Sequence, residues 1–108
     1  MSKDKQNKNR ENQYKLCMLK SLPKYKKALS SNLIINVLCK LGLPNNFFDI
    51  TQIDILKKVY KETQAIEKAQ GLHRTNASAV KKLMEYIENG LTYKDFLYDA
   101  SLVEHQNS

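Results

Sequence analysis

An all-α fold follows from three features of this 108-residue chain. It holds only three Gly and two Pro, too few for the turns of a many-stranded β protein. Long stretches repeat apolar residues at three- and four-residue intervals, and none alternates with period two. Gly, or a Ser/Thr start signal, punctuates those stretches at helix-length intervals. The expected architecture is a compact bundle of four to five short helices over residues 14–103. A disordered basic arm at 1–13 precedes it, and a polar tail at 104–108 follows.

The arm, MSKDKQNKNRENQ, has no large apolar side chain after Met1 and so cannot bury enough surface to offset the entropy of ordering. Tyr14 to Leu19 supplies a short apolar cluster, one or two helical turns at most. Ser21 and Pro23 then mark a helix start, where the missing N–H of proline costs nothing. Tyr25, Ala28, Leu29, Leu33, Val37, Leu38 and Leu41 follow at helical spacing, ended by Gly42 and Pro44. Ser30-Ser31-Asn32 interrupts that run, with Ser31 or Asn32 able to cap a fresh helix, so one bent helix and two short ones both remain open.

Thr51-Gln52-Ile53-Asp54 resembles a capping box with Asp in the place of Glu. It opens a helix with the stripe Ile53, Leu56, Val59, Tyr60, Ile66 and Ala69, ending at Gly71, and Phe47 and Phe48 plug its base into the core. Thr75 or Asn76 starts the next helix, with Val80, Leu83, Met84 and Ile87 on one face and Gly90 at its end. Thr92-Tyr93-Lys94-Asp95 caps a last helix with Phe96, Leu97, Ala100 and Val103 inward. Gly71-Leu72 and Gly90-Leu91 share one logic: a left-handed Gly, then a Leu covering the helix end.

Charge is distributed unevenly. Residues 1–27 carry nine Lys/Arg against Asp4 and Glu11, whereas residues 28–108 carry nine basic and nine acidic groups. A basic arm on a neutral body attracts polyanions, chiefly nucleic acid, by Coulomb steering and counterion release. No apolar run is long enough to span a bilayer, so no membrane partner is expected. The polar N-terminus argues against a secretory signal. Cys17 and Cys39 make no disulfide framework and read as buried thiols in a reducing cytoplasm.

The sharpest functional pattern covers residues 60–87. Ile66, Gly71, Leu72, Ala77 and Val80 fall where a helix-turn-helix wants an apolar residue, a turn Gly and three further core positions. Glu67 departs from that pattern, because a small residue is usual four before the turn Gly. The alternative is an antiparallel helical hairpin with a polar outer face. As a recognition helix, the second element would offer Arg74, Thr75, Asn76, Ser78, Lys81 and Lys82, with His73 beside Arg74 as a turn residue or phosphate contact. Arg reads guanine, Asn reads adenine, and Lys and Ser hold phosphates. The last helix carries Asp95, Asp99 and Glu104 against Lys94 alone, would repel phosphates and reads as structural.

Within the arm, Lys3, Lys5, Lys8 and Arg10 either follow a nucleic-acid backbone or merely solubilise the chain. Lys20, Lys24, Lys26 and Lys27 sit on or beside ordered helix with Tyr14 and Tyr25 nearby, a mixture suited to phosphate contact and base stacking. Tyr25 is also in phase with the core stripe. His73 and His105 lack a Cys, Ser or carboxylate partner at a telling spacing, so no catalytic residue is expected. No spacing points to a metal or cofactor. Glu85 and Glu88 balance Lys81 and Lys82.

Two functions remain in contention. One is a small nucleic-acid-binding protein, DNA favoured over RNA, serving as a regulator or accessory factor, for instance of a mobile element. A helix-turn-helix would also bring a homodimer into view, although no heptad accompanies it. The other is a non-enzymatic helical module that binds an acidic protein partner as an inhibitor, immunity protein or adaptor. In that case Phe47, Phe48, Tyr93, Phe96 and Tyr98 would include exposed hot-spot aromatics.

Overall fold

The computed structural model describes residues 20–106. Five helices follow in order: α1 (Leu22–Leu29), α2 (Asn32–Lys40), α3 (Ile53–Ala69), α4 (Thr75–Glu88) and α5 (Tyr93–Gln106). No strand occurs among the described residues. The expected arm at 1–13 and the Tyr14–Leu19 cluster lie outside them.

The two-helix alternative holds for residues 21–41. Ser31 takes an extended conformation, and its Oγ accepts from Ile34 N at 3.4 Å, capping α2. The inward face of α2 is Ile34, Val37 and Leu38. Cys39 falls off that stripe and is exposed, which corrects the expectation of a buried thiol.

The proposed capping box at the start of α3 does not form. Ile50 and Phe47 are both buried, and the chain stays extended through Gln52 before turning. The helix therefore begins one residue late, leaving Thr51 outside the capping position and Asp54 in the first turn. Only Phe47 plugs the base; Phe48 is 51% exposed. The equivalent box at α5 is complete. Asp95 N donates to Thr92 Oγ1 at 3.3 Å, and Thr92 N donates to Asp95 Oδ2 at 2.8 Å.

The α3–α4 connection closes as a Schellman turn. Leu72 N donates to Glu67 O at 2.8 Å and Gly71 N to Lys68 O at 3.3 Å, with Gly71 at φ +67°, where a Cβ would be strained. Gly42-Leu43 and Gly90-Leu91 repeat those bonds after α2 and α4. Leu72 and Leu91, expected to cover the helix ends, are 46% and 44% exposed. Each Leu is thus only partly covered, and the backbone bonds close the helix ends.

α4 is the central helix, packed on α1, α3 and α5, with α1 also against α5 and α2 against α3. Its buried residues are Ala77, Ala79, Val80, Leu83 and Tyr86, while Met84 and Ile87 are half-buried at the margin. On α5, Phe96, Ala100 and Val103 are buried as expected, and Leu97 is half-buried. Helix α5 continues beyond 103 through Gln106, where a polar tail was expected. Buried Val103 and a Glu104–Lys26 ion pair at 3.7 Å hold its last turn against α1.

Tyr86 joins α4 to α5. Its Oη donates to Asp99 Oδ2 at 2.5 Å, and its ring meets Phe96 edge-on at 5.4 Å between centroids. Burial raises the Tyr86 phenol well above its ordinary pKa, and the Asp99 carboxylate pushes it further. Burial raises Tyr93 as well. Both phenols hold their protons more tightly when folded, so their contribution to stability is fully present below about pH 10. It is lost as pH rises through the folded-state values. In an alkaline titration followed by tyrosinate absorbance, Tyr86 and Tyr93 should ionise last, together with loss of helical circular dichroism. Ionisation of all tyrosines near their free value with the helices intact would contradict this.

Candidate nucleic-acid interface

The joint between α3 and α4 is built on a buried carboxylate. The buried face of α3 is Leu56, Val59, Thr63 and Glu67. The apolar stripe anticipated here instead ran to Ala69, which is exposed. Thr63 Oγ1 is buried without a hydrogen-bond partner among the described residues. Glu67 is only 1% exposed, yet both its oxygens are used: Oε2 accepts from Asn76 N at 3.0 Å and Oε1 from Ala77 N at 3.1 Å. Burying a carboxylate is costly unless hydrogen bonds and opposite charge compensate it. Two free N–H groups at a helix start, with the positive end of the helix dipole, supply that compensation. Glu67 thus caps α4 from the preceding helix, at a start where Arg74 makes no side-chain cap.

This arrangement decides what the start of α4 can do. Its second and third N–H groups are occupied by a carboxylate, so they do not form an open backbone cradle for phosphate. Anion contact there falls to side chains. Asn76 faces inward: half-buried, its Oδ1 accepts from Ser31 Oγ at 3.3 Å. A bidentate contact with adenine uses both the carbonyl and the amide of an Asn, and Ser31 already engages the carbonyl.

The remaining basic side chains converge. Packing of α1 on α4 sets Lys24 and Tyr25 against His73, Arg74, Thr75 and Ser78 around an open groove of about 440 Å³. Tyr25 and Ser78 also border a second groove of about 310 Å³, together with Ser21, Lys81, Lys82 and Glu85. Tyr25 packs its half-buried ring against the core and exposes its rim between the grooves. Lys24, His73, Arg74 and Lys81 are exposed, and none takes part in the ion pairs among the described residues.

Other expected residues are committed elsewhere. Lys82 pairs with Glu85 at 3.3 Å, and its side chain is only 16% exposed. Lys26 points to Glu104 on α5. Lys20 and Lys27 are exposed and line neither groove. Glu88 makes no ion pair with Lys81. Lys3, Lys5, Lys8 and Arg10 lie outside the described residues.

No protein family, characterised protein or solved structure matches the chain. The interface therefore rests on the chain's own residues. Ala77 and Val80 are buried and Ile66 half-buried, as a helix-turn-helix wants, but Leu72 is exposed where that unit needs a core residue. Among the described residues no helix is long and apolar enough to cross a membrane. Lys61 and Lys68 escaped the sequence reading. Both are exposed on α3 and border a third cleft with Arg74. Their seven-residue spacing on one helical face was the available signal.

Proposed function

We propose that this protein binds nucleic acid, duplex DNA in the first instance, through the face shared by α1 and the start of α4. The observation that carries the reading is the meeting of Lys24 with His73 and Arg74 around one groove. These residues are some fifty positions apart in sequence, and none is neutralised by a carboxylate among the described residues. Lys24, Arg74 and Lys81 hold phosphates, while Thr75 and Ser78 offer hydroxyls. With Asn76 turned inward and the α4 amides taken by Glu67, contact is with the backbone more than with base edges, and sequence preference is weak. The basic segment 1–19 adds long-range attraction. A cytoplasmic regulator or accessory factor fits this reading.

Binding of the full chain to random-sequence duplex DNA, titrated with salt, tests it. Affinity should fall steeply between about 50 and 200 mM salt, each phosphate contact adding about 0.9 to the slope of log K against log salt. Replacing Lys24, Arg74 and Lys81 together by Ala should lower that slope by nearly three. No binding at the low-salt end, or an unchanged slope in the triple variant, would remove the reading.

Exposed aromatics favour a second function, a protein-binding module. Phe48 and Tyr98 are 51% and 65% exposed, whereas Phe47, Tyr93 and Phe96 are buried and unavailable as hot spots. Loss of partner capture on truncating Phe48 and Tyr98, with no loss on the triple charge change, would establish this alternative.

A further inference from the structure

A cleft of about 560 Å³ lies outside the α1–α4 face. It runs between the C-terminal half of α3 and the turn leading into α4, bordered by Lys61, Gln64, Lys68, Leu72 and Arg74, with Glu67 contributing to its wall. Its charge is one-sided. Lys61, Lys68 and Arg74 are exposed, and none is in an ion pair among the described residues. The nearest α3 carboxylate to Lys61 in sequence, Glu62, is engaged by Lys40 from α2. The acid in the wall, Glu67, has both oxygens turned to the amides of Asn76 and Ala77. Those bonds aim the carboxylate at the start of α4, and it forms no ion pair with Lys61, Lys68 or Arg74.

We infer that this cleft is a second phosphate-binding site, continuous through Arg74 with the α1–α4 face, and that it carries the nucleic-acid backbone onward across α3. The inference rests on the proposed function and extends its footprint. Arg74 borders both the cleft and the Lys24 groove, so one guanidinium links the two. Lys61 and Lys68 stand seven residues apart on one face of α3, about 10 Å along its axis at 1.5 Å per residue. That separation allows each lysine to meet a different phosphate of one strand. Gln64 offers an amide to a phosphate oxygen, and half-exposed Leu72 gives an apolar wall for a sugar.

The test compares two charge-matched double variants of the full chain in duplex binding against salt. Lys61 and Lys68 are both exposed, so K61Q/K68Q should keep the wild-type melting temperature. Its slope of log K against log salt should fall by about two, the share of two phosphate contacts. K58Q/K94Q removes the same charge from residues that do not border the cleft, and its slope should change by less than half as much. Excess inorganic phosphate should compete only weakly with DNA for the wild type, as expected of a site that needs the polymer. An unchanged slope in K61Q/K68Q, with the wild type still binding, overturns the cleft site and leaves the α1–α4 face standing. An equal fall in both double variants assigns the effect to net charge and also overturns it. Failure of the wild type to bind DNA at all ends the proposed function and this extension together.

Discussion

Replacing Glu67 by Ala should destabilise the protein by about 3 kcal/mol, the loss of two charge-assisted hydrogen bonds to a helix start. In a domain of this size that corresponds to a fall of roughly 15 °C in melting temperature. The cost has two parts. The amides of Asn76 and Ala77 lose their acceptor in a region with little access to water, and the α4 dipole loses its matching charge. Glu67→Gln keeps one carbonyl acceptor but presents an NH₂ to the other amide, so its loss should be about half as large. Hydrogen exchange separates a local from a global effect: in Glu67→Ala the amides of residues 76 and 77 should exchange fast while Val80 to Tyr86 stay protected. Unchanged protection at 76 and 77 would show that Glu67 is not the cap.

Phe96→Ala should cost about 3–5 kcal/mol, the range for deleting a fully buried aromatic ring. Phe96 has no exposed surface and sits between two aromatic neighbours, Tyr86 edge-on at 5.4 Å and Tyr93 stacked at 6.1 Å. Phe47 extends the cluster through Tyr93 at 5.6 Å. Losing the ring opens a cavity among α4, α5 and the loop before α3, which is a large share of a stability of about 5–15 kcal/mol. Phe48 is the contrast. It meets Tyr93 edge-on at 5.1 Å but is half in solvent, so Phe48→Ala should cost no more than about 1 kcal/mol. Chemical denaturation of both variants checks the pair, and equal losses would mean that Phe48 is far better covered than this structure has it.

The helices were legible because their signals are local. Gly42, Gly71 and Gly90 end helices through bonds that reach back only a few residues, and Thr92 and Asp95 close a box within one turn. Ser31 caps α2 by reaching three residues forward. The start of α3 was misread where a local signal competed with burial: Thr51 and Asp54 spelled a cap, but placing Phe47 and Ile50 in the core delayed the helix. The buried face of α3 was legible in part: Leu56 and Val59 are buried and Tyr60 and Ile66 half-buried against the core, but Ala69 is exposed. Following apolar residues led to Ala69, while the true stripe of 56, 59, 63 and 67 contains a Thr and a Glu. Hydrophobic periodicity has no means of marking a polar residue that is buried because a distant group satisfies it.

The candidate interface divides along the same line. His73, Arg74, Ser78 and Lys81 could be nominated from their place at a helix start, and Lys24 from its basic neighbourhood. That Lys24 and Arg74 border one groove, and that Asn76 is drawn inward by Ser31, came only from packing. The sequence by itself determined an all-helical chain, the ends of most helices and the excess of positive charge toward the N-terminus, since backbone hydrogen bonding and charge are properties of short segments. The tertiary structure decided which helices touch, that a buried Glu67 joins α3 to α4, and which cations share a surface. Those contacts link residues from nine to nearly eighty positions apart, and their geometry depends on how helices cross, which the period of a single helix does not encode.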